Sequence, residues 1–255
     1  MAISAERGGV KSALRVLTIL EYFAAARKPA TLSQMSRQLE LPKSSCLALL
    51  DTLLQSGYLC WLGKDGGYYP TRRWLDLAEV ITRSDTILAL TAPALAAICE
   101  ATSETAILAK REGRHVLYMA VVEPPQVLRF AAHAGQIKPL HGGASGRALL
   151  ALLPPEERAA LIPQLDRKRF TPATTVKPQE IEQAVQAGIA RGWHVAIAEF
   201  QADTAAIAAG FRHGAGEYAF VVGAPKQRVV HRVHEIGRIL SKHATAMQKL
   251  ANGGN

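Results

Sequence analysis

A chain of 255 residues with a formal net charge of +9, 49% hydrophobic and 20% charged, suits one small domain plus one of ordinary size. That balance excludes a disordered chain, and no apolar run is long enough to span a bilayer. The basic excess favours an anionic partner, nucleic acid before acidic membrane. It is concentrated at one end, with ten Lys/Arg against five Asp/Glu in residues 1–73 and twenty against sixteen in the rest.

Cys46, Cys60 and Cys99 are scattered, odd in number and without a CxxC pair, which argues against a disulfide framework or zinc site and fits a reducing cytosol. The stretch MAISAERGGVKSA has no apolar leader. A cytoplasmic protein without metal, cofactor or membrane partner is expected.

In chain order, SALRVLTILEYFAAA (12–26) carries apolar residues at helical spacing and is stopped by Arg27, Lys28 and Pro29. Thr31 and Gln34 form a T-x-x-Q capping box opening a short second helix, TLSQMSRQLE. Pro42 suits the first position of a third helix that runs to about Ser56, with Gly57 as its stop. Two β-prone runs, Tyr58–Leu62 and Tyr68–Thr71, flank a Gly63–Gly67 turn and read as a hairpin. Helix, helix, turn, helix and hairpin spell a winged helix-turn-helix, residues 1–73. A linker helix (74–93), interrupted near Pro93, leads to a second domain, 94–255.

In that domain, Ala106–Lys110 and Val116–Val122 read as strands joined by Glu112–Gly113–Arg114, and Val127–Ala132 as a further strand. Helices are expected at Ala144–Leu153, from Pro155, and over Pro178–Arg191. Strands near Trp193–Ala198 and Tyr218–Gly223 flank the apolar run Ala205–Phe211. A last helix places Val229, Val233, Ile236, Leu240, Ala244 and Met247 on one stripe, a core or helix–helix seam. Strands interleaved with helices imply an α/β layer domain.

The third helix is expected to read DNA. Lys43, Ser44 and Ser45 stand in its first turn, where free N–H groups also attract phosphate. Ser33 on the second helix, Arg15 on the first, and Lys64, Arg72 and Arg73 around the wing are the other candidate contacts. Each cation alone reads equally well as a solvated surface charge; the set on one winged helix is more telling. GGASGR has Arg147 where a nucleophile elbow needs glycine, GKDGG lacks the ending of a phosphate-binding loop, and His231 with His234 has no third ligand. No enzyme is expected.

Five stretches in this order, SALRVLTILEYF, TLSQMSRQLELPKSSCLALLDTLLQSGYL, TAPALAAICEATSETAIL, KPLHGGASGRALLALLP and AGIARGWHVAIAEF, resemble the IclR family of bacterial transcriptional regulators over nearly the whole chain. The resemblance implies a winged helix-turn-helix, a GAF-like α/β effector domain, and a homodimer or dimer of dimers on a palindromic operator. Family members often carry large polar residues where this chain has Leu47 and Ala48. Leu47 fits a core stripe with Leu50 and Leu54, or, with Ala48, contact to thymine methyl groups.

By the same resemblance, the amides of Ala144 and Ser145 in LHGGASGRALL hold the carboxylate of a small organic acid; a capped tight turn explains the same glycines. Phe130, Ala196, Thr204, Ala206, Val221 and Gly223 are the other expected pocket positions. The family's polar lining is replaced at four of them, Ala196, Ala206, Val221 and Gly223, which favours an apolar or aromatic carboxylate over a small hydrated one. A ligand-independent DNA-binding protein whose second domain only oligomerises is the alternative.

Overall fold

The computed structural model describes residues 10–64, 66–83 and 85–252. Residues 1–9, and Asp65 of the expected turn, lie outside the described residues. The chain divides into two compact units between Asp85 and Thr86.

The first unit holds α1 (Lys11–Ala26), α2 (Leu32–Gln38), α3 (Lys43–Gln55), β1 (Leu59–Trp61), β2 (Tyr68–Pro70) and α4 (Arg73–Arg83). The capping box is formed: Gln34 Oε1 accepts from the Thr31 amide at 2.8 Å, and Thr31 Oγ1 from the Gln34 amide at 3.4 Å. Pro42 is the residue before α3 rather than its first; its carbonyl accepts from the Cys46 amide at 3.0 Å. At the other end Gly57 is left-handed (φ 77°). Its amide donates to Leu54 and that of Tyr58 to Leu53, the paired bonds of a Schellman stop. Ile19, Phe23, Met35, Cys46, Leu50 and Leu53 form the core, closed by Leu59 and Tyr68 of the wing.

Pro93 does not interrupt a helix. It lies inside α5 (Thr86–Thr102), and the helical text breaks instead just before Thr86. The missing proline N–H costs one helical bond, but buried Ala94, Leu95 and Ile98 pack on through it.

The second unit continues with β3 (Thr105–Glu112), β4 (His115–Val122), β5 (Ile137–Pro139), α6 (Gly143–Leu150) and α7 (Pro155–Leu161) with a 3-10 turn at Ile162–Gln164. It ends with α8 (Pro178–Arg191), β6 (His194–Ile197), β7 (Thr204–His213), β8 (Gly216–Pro225), α9 (Lys226–Val229) and α10 (Val233–Asn252). All six strands pair antiparallel in the order β5-β4-β3-β8-β7-β6. Alternate residues face two cores. Ala106, Leu108, Ile207, Phe211, Phe220 and Val222 pack with α5 and α10, and Ile107, Ala109, Ala208, Ala219 and Val221 with α6 and α8. The result is a GAF-like α/β layer domain.

Three expectations change. Residues 127–132 are not a strand; the edge partner of β4 is β5, paired with it over His115–Leu117 (Val116 opposite Lys138). The apolar run from Ala205 is β7, apolar on both faces because helices cover both. Val229 belongs to the separate α9, and the seam helix starts at Val233.

Candidate functional site: a helix surface and an internal cavity

On the first unit, α3 buries Cys46, Leu50 and Leu53 and turns its other side to solvent. Lys43, Ser44 and Ala48 are exposed, Ser45 is half-buried, and Leu47 is 38% exposed. Leu47 is therefore not a core residue; it shares the open face with Ala48 and Ser44, three and four residues apart. No side chain caps the start of α3, so its first amides have no helical partner to satisfy them. Ser33 is exposed on α2, Lys64 is exposed in the wing turn, and Arg15 is half-buried on α1. Arg72 and Arg73 are exposed but engaged: Arg72 pairs with Asp76 at 3.1 Å, and the Arg73 guanidinium lies 4.9 Å from the centre of the Tyr58 ring.

In the second unit a cavity of about 280 Å³ opens at the start of α6. Phe130, Ala144, Ser145, Ala196, Thr204 and Ala206 all line it. Val221 and Gly223 do not. Val221 points to the same side of the sheet but is sealed among Ala208, Ile107 and the α6 residues. At Gly223 a Cβ would stand 2.6 Å from Phe130 Cδ1, so the glycine makes room for the ring that forms the wall. The backbone of that wall is fixed by Thr105, whose hydroxyl donates to the Phe130 carbonyl at 2.7 Å.

Polar and aromatic side chains that the sequence reading missed complete the lining: Tyr118, Lys138, Phe170, Glu199, Phe200 and Gln201. Tyr118 is buried, hydrogen-bonds Ser145, and is pushed up to about 12 by desolvation against the pull of that bond, so it stays a neutral phenol. Period-two alternation from Val116 could have found it; nothing local marks the others.

Glu199 owes its position to Ala198, left-handed at φ 60°, which ends β6. Thr171 Oγ1 donates to the Ala198 carbonyl and Thr174 Oγ1 to that of Glu199, both at 2.6 Å. The Glu199 carboxylate pairs with Arg147 of α6 at 2.7 Å, with side chains 7% and 5% exposed. Arg147 also donates to the Val195 carbonyl at 2.7 Å and to Thr175 Oγ1 at 3.0 Å.

Phe200 closes the start of α6: Gly143 is left-handed (φ 75°), and a Cβ there would stand 2.6 Å from Phe200 Cε2. Phe170 packs on Phe200 with ring centres 4.9 Å apart. The Lys138 ammonium lies 5.5 Å from the Phe200 ring centre, and burial pulls its titration down.

No His/Cys/Asp/Glu cluster suited to a metal occurs among the described residues. Nor is any single helix there long and apolar enough to cross a membrane.

Comparison with known proteins assigns both units. The IclR helix-turn-helix domain matches residues 12–61 and the bacterial transcriptional regulator IclR C-terminal domain residues 79–251. The HTH-type transcriptional regulator KipR of Bacillus subtilis is 27% identical over 200 residues, 78% of this chain and 79% of its own length. The Thermotoga maritima IclR structure superposes with a TM-score of 0.80 at 19% identity, covering 94% of this chain and 98% of that one. An IclR homolog from Microbacterium hydrocarbonoxydans, complexed with 4-hydroxybenzoate, gives a TM-score of 0.70 at 24% identity, over 94% of this chain and 100% of that one. With both family domains matched in order over the two units, this chain belongs to the IclR family of transcriptional regulators, DNA-binding proteins and not enzymes.

Proposed function

We propose that this regulator acts in the cytoplasm as a homodimer or dimer of dimers on a palindromic operator, and that a small organic acid with an apolar or aromatic body alters its occupancy. The observation that carries the effector half is the cavity. Its volume, about 280 Å³, is at the small end of ligand sites, and its walls include three Phe and four Ala. It also opens onto the first turn of α6, where no side chain caps the helix and backbone N–H groups attract an anion. A relative of the same fold holding 4-hydroxybenzoate agrees with this reading.

On the DNA side, Lys43, Ser44 and Ser45 of α3 meet phosphate and base edges. Leu47 or Ala48 touches thymine methyls, and Ser33, Arg15, Lys64, Arg72 and Arg73 hold the backbone. Footprinting on genomic fragments, with and without a panel of aromatic and aliphatic carboxylates, tests both halves. The expected result is a protected palindrome whose occupancy shifts with an aromatic acid. Protection indifferent to every acid favours a domain that only oligomerises, and no specific protection overturns the DNA reading.

A further inference from the structure

Lys138 and Glu199 are the charged residues among those lining the cavity. They are not in the same state. Glu199 is already neutralised by Arg147, which is itself buried and also donates to the Val195 carbonyl and to Thr175 Oγ1. Lys138 has no carboxylate within ion-pair distance among the described residues; its near neighbour is the face of Phe200. The cavity therefore carries one uncompensated positive charge. That charge is partly removed from water, Lys138 being half-buried, and Coulomb attraction to an anion is strengthened there relative to bulk.

The charge also sits beside the opening turn of α6. The ring of Phe200 lies against Gly142 and Gly143 on one hand and under the Lys138 ammonium on the other. The first turn of α6 and an ammonium thus lie against one aromatic ring, with Phe170 packed beside it. A planar acid set against these rings would bring its carboxylate to Lys138 while its body meets Phe130, Ala196 and Ala206. A second negative charge on the ligand would face Glu199, whose other oxygen is buried without a hydrogen-bond partner among the described residues.

The geometry points to Lys138 as the residue that selects the effector, and to an aromatic monocarboxylate as the effector's class. This rests on the effector reading above and adds to it a charge count and a residue. Lys138 lies half-buried on the edge strand β5, where substitution disturbs neither core.

Calorimetry on the full-length protein, with benzoate, its neutral isostere benzamide and the dicarboxylate terephthalate, tests the assignment. Wild-type protein is expected to bind benzoate at least about tenfold tighter than either, the loss typical of one charged hydrogen bond. Lys138→Met should abolish the preference for benzoate over benzamide, and Lys138→Arg should retain it. A merely structural lysine would weaken both ligands together. Equal binding of benzoate by wild type and Lys138→Met, or terephthalate bound as tightly as benzoate, overturns the assignment while the effector reading stands. No binding of benzoate by wild type, together with DNA occupancy indifferent to every acid, sinks both. The ligand comparison is made on wild-type protein too, so the assignment stays testable if a variant fails to fold.

Discussion

At the scale of single residues, Arg147–Glu199 is the ion pair among the described residues with both side chains buried. A guanidinium 5% exposed cannot be hydrated, and its two neutral acceptors, Val195 O and Thr175 Oγ1, share a positive charge without cancelling it. Removing the carboxylate leaves an uncompensated buried cation, for which the typical cost is about 3–5 kcal/mol. Replacing both partners by apolar residues avoids that cost. Glu199→Ala should therefore destabilise the full chain by about 3–5 kcal/mol in urea unfolding, and the double variant Arg147→Met/Glu199→Met by clearly less. A double variant as unstable as the single one would mean that the pair's role lies in its hydrogen bonds to 175 and 195 rather than in charge balance.

At the scale of elements, α3 is the part whose sequence and surface agree most fully. Its buried Cys46, Leu50 and Leu53 leave Lys43, Ser44, Leu47 and Ala48 outward, with an apolar pair where a polar one is usual for base reading. In a selection from randomised operators, Ala48→Arg should change the preferred bases, since it trades a methyl contact for a donor fork. Lys43→Ala should instead weaken all sites about uniformly. Unchanged preference in Ala48→Arg would remove this residue from the reading surface.

Elements such as α3 were legible because their ends carry local chemistry: the Thr31–Gln34 box, Pro42, Gly57, the wing glycines. β7 was not, since a strand covered on both faces loses the alternation that marks strands. Residues 127–132 misled for the opposite reason: their composition suits a strand, but they pair with none, and the edge partner of β4 is β5. The cavity was half legible. Gly143, Ala144 and Ser145 sit in one recognisable stretch, whereas Phe170 and Glu199 join them only through the sheet's order and the left-handed turn at Ala198.

At the scale of the whole molecule, a palindrome is read by two copies related by a twofold axis, so each surface in the contact occurs twice. The helix α4 offers such a surface. Leu77, Val80 and Ile81, at positions i, i+3 and i+4, are 40%, 64% and 70% exposed, an apolar stripe that is costly to leave in water. If this stripe seats a second copy of the chain, Leu77→Glu/Ile81→Glu alters four side chains per dimer. At about 1.5 kcal/mol for each apolar side chain, about 6 kcal/mol in all, the dimer should dissociate on the order of ten thousandfold more readily. Size-exclusion chromatography with light scattering should then show wild type as a dimer or tetramer and the variant shifted toward monomer. In parallel, affinity for the full palindrome should fall at least tenfold, with binding to an isolated half-site unchanged, because α3 is untouched. A variant that keeps the wild-type mass would exclude α4 from the interface and move the search to the second unit. A wild-type monomer would overturn the twofold reading itself.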